Sequence, residues 1–196
     1  MSRQPRAQAT RARLLDATVE ALAECGYRGT STQEVCRRAG VSRGTLLHHF
    51  PTRLELLVGS LDAILVDRVA AFVEARRGQA AVPPALLVRE LWAQWRGPVY
   101  AAWLELAVAA RTEPALREPM REVMSRFDDE ILAAFRQLVD TRELSDGFVA
   151  MLPTLTFALF NGLAVGRGYT PETDEEPAIA LIENLARLLP AAGGVL

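Results

Sequence analysis

The sequence predicts an all-α protein of about nine helices, and three observations support this fold class. Along most of the 196 residues, apolar positions recur three or four apart, which places them on one face of an α-helix. Polar capping residues and glycine or proline residues stand at the ends of these stretches, where helices begin and end. After residue 56, no stretch alternates apolar and polar residues with the two-residue period of a strand.

The first helix is expected from about Thr10 to Cys25, where apolar residues recur at helical spacing until Gly26 ends it. Several basic residues precede or open this helix. They could form a flexible arm that contacts phosphates, or a solvated terminus without a partner, and both interpretations stay open. These residues are Arg3, Arg6, Arg11 and Arg13.

Two short helices follow. Ser31 and Glu34 form a capping box that opens a helix from Thr32 to about Ala39, and Gly40 ends it. Ser42 then caps a helix of about two turns, which ends at Phe50-Pro51. A helix this short is not stable alone, so neighbours must hold it. Helix, tight turn and second short helix make the helix-turn-helix pattern, whose second helix enters the DNA major groove.

Residues from about Thr10 to Leu57 closely resemble the DNA-binding domain of the tetracycline-repressor (TetR) family of bacterial regulators. The matching residues are Arg13-Leu14-Leu15-Asp16-Ala17, Gly26-Tyr27, Thr30-Ser31, Ala39-Gly40-Val41-Ser42, Gly44-Thr45-Leu46 and His49-Phe50-Pro51. The resemblance implies a three-helix DNA-binding head over residues 1–56. It also implies a ligand-binding and dimerisation body over residues 57–196, joined to the head by a long connector helix.

The resemblance assigns contacts with double-stranded operator DNA to seven residues. Arg and the free N–H groups of a helix N-terminus suit phosphate, and Thr offers a hydroxyl and a methyl to a base edge. One position departs from the family, which usually has an aromatic, commonly Tyr, where this chain has Leu47. The residues are Arg43, Gly44, Thr45, Leu47 and His48 for bases and phosphates, with Thr32 and Arg53 for phosphates.

The charge distribution agrees with a DNA-binding head. Residues 1–53 carry nine arginines and four acids, whereas the remainder carries thirteen arginines and twenty acids, within a formal net charge of −2. A basic head on an acidic body is the asymmetry that a DNA-reading regulator needs. Because charged stretches are more often solvated surfaces, this observation supports the motif without establishing it.

The rest of the chain predicts a connector helix and a helical body. Pro119 is expected to mark a helix start or a kink, and Pro153 a bend. Thr52 with Glu55 and Thr173 with Glu176 form two further capping boxes, which open the connector helix and the last helix. The expected helices span residues 53–77, 84–96, 99–111, a long segment ending near 140, 146–167 and 174–189.

All three tryptophans fall between Trp92 and Trp103, in helices that line the ligand cavity of proteins this chain resembles. Apolar and aromatic walls with a few polar groups are typical of small-molecule sites. We therefore expect a small, mainly apolar effector. The candidate residues are Trp92, Trp95, Arg96, Trp103, Met124, Phe127, Phe157 and Asn161.

The last two helices are expected to form a homodimer interface, because they carry more apolar surface than the body needs for its own core. Two helices from each subunit would form a four-helix bundle, and small residues would permit close approach. The candidate residues are Leu159, Gly162, Leu163, Gly166, Ile182 and Leu185, together with Ile179 and Leu188.

No catalytic pattern, phosphate loop or metal-ligand spacing is present, so the sequence predicts no enzyme, cofactor or metal site. No run approaches the roughly 20 apolar residues of a membrane span, and no signal peptide is evident, so a cytoplasmic protein without a membrane partner is expected. The prediction is a ligand-responsive DNA-binding regulator, a repressor by resemblance. The alternative is a regulator without a small-molecule effector, controlled by abundance or a protein partner.

Overall fold

The computed structural model describes the backbone of residues 3–142, 144–167 and 175–192, and the side chains of 5–142, 144–166 and 175–187. Within these ranges the fold is all-α, as predicted, with nine α-helices and one short 3₁₀ helix before α5. The helices are α1 (Arg3–Gly29), α2 (Thr32–Ala39), α3 (Arg43–His49), α4 (Arg53–Glu74), α5 (Val88–Ala93), α6 (Pro98–Ala109), α7 (Pro114–Leu138), α8 (Asp146–Arg167) and α9 (Glu176–Ala192); the 3₁₀ helix spans Pro84–Leu87.

The chain divides into two compact units. The first contains Met1–Arg68 and Gly97–Phe127, and the second contains Val69–Arg96 and Asp128–Leu196. The first unit thus combines the three helices of the predicted head with most of α4, with α6 and with the first half of α7. Sequence reasoning placed a functional boundary at residues 56/57, which stays a prediction.

Two apolar clusters build the first unit. One joins α1, α2, α3 and the start of α4, through Leu14, Val35, Leu46 and Leu56, all fully buried. The other joins α1 and α4 to α6 and α7 through residues such as Leu22, Leu61, Leu106, Leu116 and Val123. The helices of the head therefore pack both on one another and on α6.

A smaller cluster lies in the second unit, around Leu87, Leu138 and Val139. The segment before the 3₁₀ helix pairs with the end of α7, where Val82 N–H donates to Leu138 O at 2.9 Å and Asp140 N–H donates to Val82 O at 3.0 Å. These two hydrogen bonds form an isolated parallel β-bridge between Val82 and Val139.

Several predicted helix ends differ from the structure. Helix α1 starts at Arg3 rather than Thr10, because residues 3–13 are mostly good helix formers and Pro5 lies in the first turn, where proline is tolerated. The expected break at Gly26 is present, with φ 70°. Helix α4 ends at Glu74, before the positive φ of Gly78.

Proline positions account for further differences. The expected helix over 84–96 is a 3₁₀ turn followed by the six-residue α5, and Gly97 with φ 149° then precedes Pro98 at the start of α6. Helix α7 runs from Pro114 through Pro119. Helix α8 has its predicted bounds and includes Pro153, whose bend stays a prediction.

Helix α9 continues past Pro190, where the sequence predicted its end. The predicted capping residue Thr173 lies outside the described residues.

The expectation about long apolar segments was wrong for α8. Residues Asp146–Gly166 form a 21-residue stretch of mean hydropathy 1.8, of which 22% is buried. By length and composition, this helix alone among those described could cross a membrane, a criterion that core helices of soluble proteins also meet. The low burial means that much of its apolar surface is uncovered in a single protomer.

Candidate functional site

The short helix α3 is held at both ends. Gly40 turns the chain with φ 63°, and the side chain of Ser42 accepts a hydrogen bond from Thr45 N–H at 3.1 Å, as predicted for an N-cap. At the other end, Phe50 N–H donates to Leu46 O at 2.8 Å. Leu46 and Phe50 are buried in the cluster of the head, which supplies the stability that seven residues cannot supply themselves.

The opposite side of α3 faces solvent. Arg43, Gly44, Leu47 and His48 are exposed and Thr45 is half-buried, so five of the predicted DNA contacts lie together on one surface. We call the surface formed by these five residues the α3 face. The Thr45 hydroxyl lies 2.9 Å from the Ser42 hydroxyl, with which it shares a hydrogen bond.

The start of α2 contains a charge network next to the predicted contact Thr32, which is half-buried. Ser31 caps the helix by accepting from Glu34 N–H at 3.1 Å, which confirms that half of the predicted capping box. The Glu34 carboxylate accepts from Arg37 and Arg38, and these hydrogen bonds lower its pKa to about 2. Arg38 also pairs with Glu24 of α1 at 2.8 Å, so the network ties α1 to α2.

Arg53 has contacts that sequence reasoning did not predict. Its Nε donates to Thr30 O at 2.8 Å, a second guanidinium nitrogen donates to Tyr27 O, and the guanidinium lies 4.4 Å from the centre of the Tyr27 ring. These contacts fasten the first residue of α4 to the turn between α1 and α2. Arg53 therefore organises the head, whether or not it also meets phosphate.

The predicted effector residues fall in both units. In the second unit, Trp95 Nε1 donates to Asn161 Oδ1 at 3.0 Å, and its ring packs edge-on against Phe157 and Phe160 at 5.4 and 5.1 Å. Trp92 lies 5.3 Å from Phe160, and Arg96 lies over the Trp92 ring at 5.9 Å.

Arg96 also pairs with Glu175 at 2.7 Å. Five of the eight predicted residues thus form one connected group of aromatic and polar side chains within this unit: Trp92, Trp95, Arg96, Phe157 and Asn161.

The other three residues belong to the first unit. Trp103 Nε1 lies 3.1 Å from Met124 Sδ, and the Trp103 ring stacks on Tyr100 with centroids 5.6 Å apart. Phe127 and Trp103 are half-buried against the cluster shared by α1, α4, α6 and α7.

Uncovered apolar side chains follow α8 and α9. The three on α8 are spaced four residues apart, and the two on α9 have the same spacing. Each set therefore lies on one helix face. The side chains of Met151, Leu155, Leu159, Leu181 and Leu185 are between 43% and 58% exposed.

The predicted interface residues differ in their exposure to solvent. Gly162 is exposed, and Leu163, Gly166 and Ile182 are half-buried. A Cβ placed on Gly162 or Gly166 would meet nothing within 4 Å, so space beside both is open. Ile179 is buried and belongs to the core instead, and the side chain of Leu188 lies outside the described residues.

Two tertiary contacts in the first unit were not predicted from the sequence. Glu105 of α6 accepts a hydrogen bond from Tyr27 N–H at 3.0 Å, just after the break at Gly26. Arg11 of α1 lies 5.4 Å from the centre of the Phe50 ring, at the end of α3. The first pair is separated by 78 residues in sequence, so no local pattern could have predicted it.

Comparison with known proteins agrees with this architecture. Residues 14–58 match the family described as bacterial regulatory proteins of the tetR family, and residues 85–190 match the C-terminal domain of BetI-type transcriptional repressors. An uncharacterised HTH-type transcriptional regulator of Mycobacterium tuberculosis is 30% identical over 190 residues, which cover 94% of this chain and 96% of the relative. BetI of Burkholderia pseudomallei is 30% identical over 153 residues, covering 74% and 78% of the two chains.

A solved structure shows the same fold. A regulator from Rhodococcus sp. assigned to the TetR family superimposes with a TM-score of 0.73 at 30% identity, covering 93% of this chain and 98% of its own. Both halves of the chain thus match regulators of one kind, and the head match contains the α3 face. The chain belongs to the TetR family of bacterial transcriptional regulators.

Proposed function

We propose that this regulator is a cytoplasmic repressor that binds a near-palindromic operator as a homodimer and is released by a small, mainly apolar effector. The observation that carries the proposal is the α3 face: five exposed or half-exposed residues on a short helix whose other side is anchored in the head. The repressor description of the matching C-terminal family supports the sign of regulation. The relatives are named as regulators rather than enzymes, which supports a binding protein.

The α3 face suits base reading because its residue types differ in what they recognise. Arg43 can donate two hydrogen bonds to guanine, and Thr45 can meet a thymine methyl with its own methyl group. Leu47 offers apolar contact where other family members offer an aromatic hydroxyl. We therefore propose direct readout by Arg43 and Thr45, with His48 at the end of the same surface.

The uncovered apolar side chains of α8 and α9 support the homodimer. A two-fold dimer uses the same surface on both subunits, so these exposed leucines and Met151 would bury one another. The open space beside Gly162 and Gly166 would let two copies of α8 approach closely. Such pairing would also cover the apolar surface that gives α8 the composition of a membrane helix.

The aromatic group around Trp95 supports a small-molecule effector. Regulators that share this fold bind such ligands: stearoyl-CoA in FadR of Bacillus subtilis, and choline in a regulator of Saccharomonospora viridis. To reverse a 99:1 balance of states, a ligand needs about 5.5 kcal/mol of differential affinity. Burying roughly 200 Å² of apolar surface in one state would supply about that amount.

The operator is tested by selecting binding sites from a random duplex library with the full-length protein. We expect an enriched sequence with two inverted half-sites, and a changed preference within each half-site for Thr45→Ala. Enrichment of no sequence at all would contradict the proposal.

The effector is tested by titrating a panel of alkyl and aromatic compounds while tryptophan fluorescence and operator binding are measured together. Compounds that quench fluorescence should also release DNA, and Trp95→Phe should weaken both effects. If compounds quench strongly but DNA affinity stays constant, the aromatic group is not part of a switch. The effector-free alternative would then be favoured.

A further inference from the structure

Leu47 is the one large apolar residue that is exposed in the described part of the head, residues 5–56, and 40% of its surface is open to solvent. A single exposed leucine needs no explanation by itself. Its position is informative, because Leu47 belongs to the α3 face, whose other exposed residues are Arg43, Gly44 and His48. An apolar side chain is therefore present where the proposed function brings DNA.

The packing of α3 fixes the direction of Leu47. Successive residues of an α-helix are turned by about 100° around its axis. Leu46 is fully buried and Phe50 is 5% exposed, and both belong to the apolar cluster of the head. Because the side of α3 that carries Leu46 is anchored in this cluster, Leu47 is held at the surface and cannot turn into the core.

Leu47 lies near the middle of the α3 face. At about 100° per residue, the order around the exposed side of the helix is Arg43, Leu47, Gly44 and His48. A Cβ added at Gly44 would have the Ser42 Oγ as its nearest neighbour, at 3.8 Å. The surface beside Leu47 is therefore open, and a base edge can approach the methyl groups of the leucine.

The chemistry of leucine selects one group in the major groove. Leucine has no donor or acceptor, so contact with a phosphate or a polar base edge would remove water from those groups without replacing its hydrogen bonds. The 5-methyl group of thymine is the apolar group that the major groove presents. A tyrosine, which is common at this position in the TetR family, has a hydroxyl that can donate to DNA. Leu47 therefore gives this regulator a different contact.

We propose that Leu47 recognises one thymine in each half-site by packing against its 5-methyl group. Arg43 is one helical turn before Leu47, with the Cβ atoms about 5–6 Å apart. The thymine should thus lie within about two base pairs of the Arg43 contact, since base pairs are about 3.4 Å apart. Residues two apart in a helix do not face each other, so Thr45 should contact a different base pair. The inference rests on the proposed function, because it requires the α3 face to enter the major groove.

The test uses the operator that the full-length protein selects from a random duplex library. Each thymine of the half-site is replaced in turn by 2′-deoxyuridine, which removes the methyl group and keeps every hydrogen-bonding group of the base. We expect one thymine whose replacement lowers wild-type affinity about fourfold in one half-site and about fifteenfold in both, the effect of burying one methyl-sized group per protomer. Fluorescence anisotropy of labelled duplexes measures these affinities.

Three variants assign the effect to a side chain. Leu47→Ala should bind the thymine and deoxyuridine duplexes equally, because its side chain no longer reaches the methyl group. Leu47→Met keeps a long apolar side chain and should keep the sensitivity to deoxyuridine. Leu86→Ala makes the same change at a residue that is 61% exposed in the 3₁₀ helix, and it should bind both duplexes as the wild type does. Thermal melting of each variant checks that the fold is intact.

The outcomes separate this inference from the proposed function. If Leu47→Ala still distinguishes thymine from deoxyuridine, another side chain contacts the methyl group and the inference is wrong. Loss of the distinction in Thr45→Ser, which removes only the threonine methyl, would assign the contact to Thr45 instead. If no thymine of the selected half-site is sensitive, the inference is wrong and the proposed function stands. If the wild type selects no sequence, both are wrong.

A second experiment puts the methyl group on a different base. At the sensitive position, the thymine is replaced by cytosine or by 5-methylcytosine, which carries its methyl group on the same ring carbon as thymine. Wild type should bind the methylated duplex about fourfold more tightly per half-site than the unmethylated one. Leu47→Ala should bind the two equally. Equal affinities of the wild type for the two duplexes would overturn the contact.

Discussion

The carboxylate of Glu105 accepts a hydrogen bond from the backbone N–H of Tyr27 at 3.0 Å, immediately after the break in α1 at Gly26. A break in a helix leaves the first N–H groups of the next turn without helical partners. Glu105 supplies one of the missing acceptors from α6. The end of α1 is therefore fixed by α6 on one side and by Arg53 of α4 on the other.

This relationship predicts different effects for two substitutions. Glu105→Ala leaves the Tyr27 N–H without its acceptor and should lower the free energy of unfolding by about 1 kcal/mol. Glu105→Gln keeps an oxygen acceptor and should lower it by less. Urea denaturation of both variants measures the difference, and equal losses would show that the hydrogen bond contributes nothing.

Gly26→Ala tests the same junction from the other side. The added Cβ would lie 2.9 Å from Glu105 Oε2, and φ of 70° is unfavourable for any residue with a side chain. We expect a loss of about 1–3 kcal/mol from the backbone conformation alone, because φ 70° with ψ 177° is a region that essentially only glycine adopts. Ala substitution at Gly147, where a Cβ meets nothing within 4 Å, should not reduce the free energy of unfolding.

The Glu34 network predicts a pH dependence. Hydrogen bonds from Arg37 and Arg38 lower the Glu34 pKa from 4.5 to about 2 in the folded protein. Because the folded value is depressed, the stabilisation is complete above about pH 5 and is lost as the pH falls toward 2.

The melting temperatures of wild type and Glu34→Gln should thus differ at neutral pH and converge near pH 2. Glu20→Gln, an exposed acid without an ion pair among the described residues, is the control. A wild-type advantage that persists unchanged at pH 2 would contradict the assignment.

The variants Arg53→Ala and Thr45→Ala should distinguish a residue that stabilises the head from a residue that contacts bases. Arg53→Ala removes the hydrogen bonds to Thr30 O and Tyr27 O, so it should lower the melting temperature and weaken binding to every DNA sequence. Thr45→Ala should cost about 1–3 kcal/mol on the selected site and little on scrambled DNA. Equal weakening on both duplexes would make Thr45 a phosphate contact.

Gly162→Glu should prevent dimerisation, because it adds a charged side chain to the open space where the proposed dimer brings a second copy of α8. Sedimentation should show monomers that bind operator DNA weakly. Ala133→Glu, which adds the same charge at an exposed position of α7, should stay dimeric. A wild-type protein that is monomeric at micromolar concentration would rule out this interface.

Local sequence patterns predicted the helices well where caps and apolar spacing agreed. Ser31, Ser42 and Thr52 each accept the expected backbone hydrogen bond, and α8 has its predicted bounds. The prediction failed where proline was taken as a terminator. Helix α9 contains Pro190, although proline is costly inside isolated helices.

Local sequence patterns could not predict contacts between residues that are far apart in the sequence. The family resemblance assigned Arg53 to phosphate, whereas its hydrogen bonds to Tyr27 O and Thr30 O depend on tertiary packing. The arginines before Leu14 were interpreted as an arm or a solvated end, whereas the structure has a helix from Arg3. Glu105 of α6 accepts from the backbone of α1, 78 residues away in sequence.

Paired DNA reading by a dimer is tested most directly by measuring affinity for two selected half-sites as their separation changes. A two-fold dimer places its two α3 faces in successive major grooves, roughly 34–36 Å or about 10 base pairs apart. Inserting about five base pairs turns the second half-site to the opposite side of the duplex. We predict that affinity then falls to that of a single half-site. Unchanged affinity after this insertion would contradict the claim that paired α3 faces read the operator.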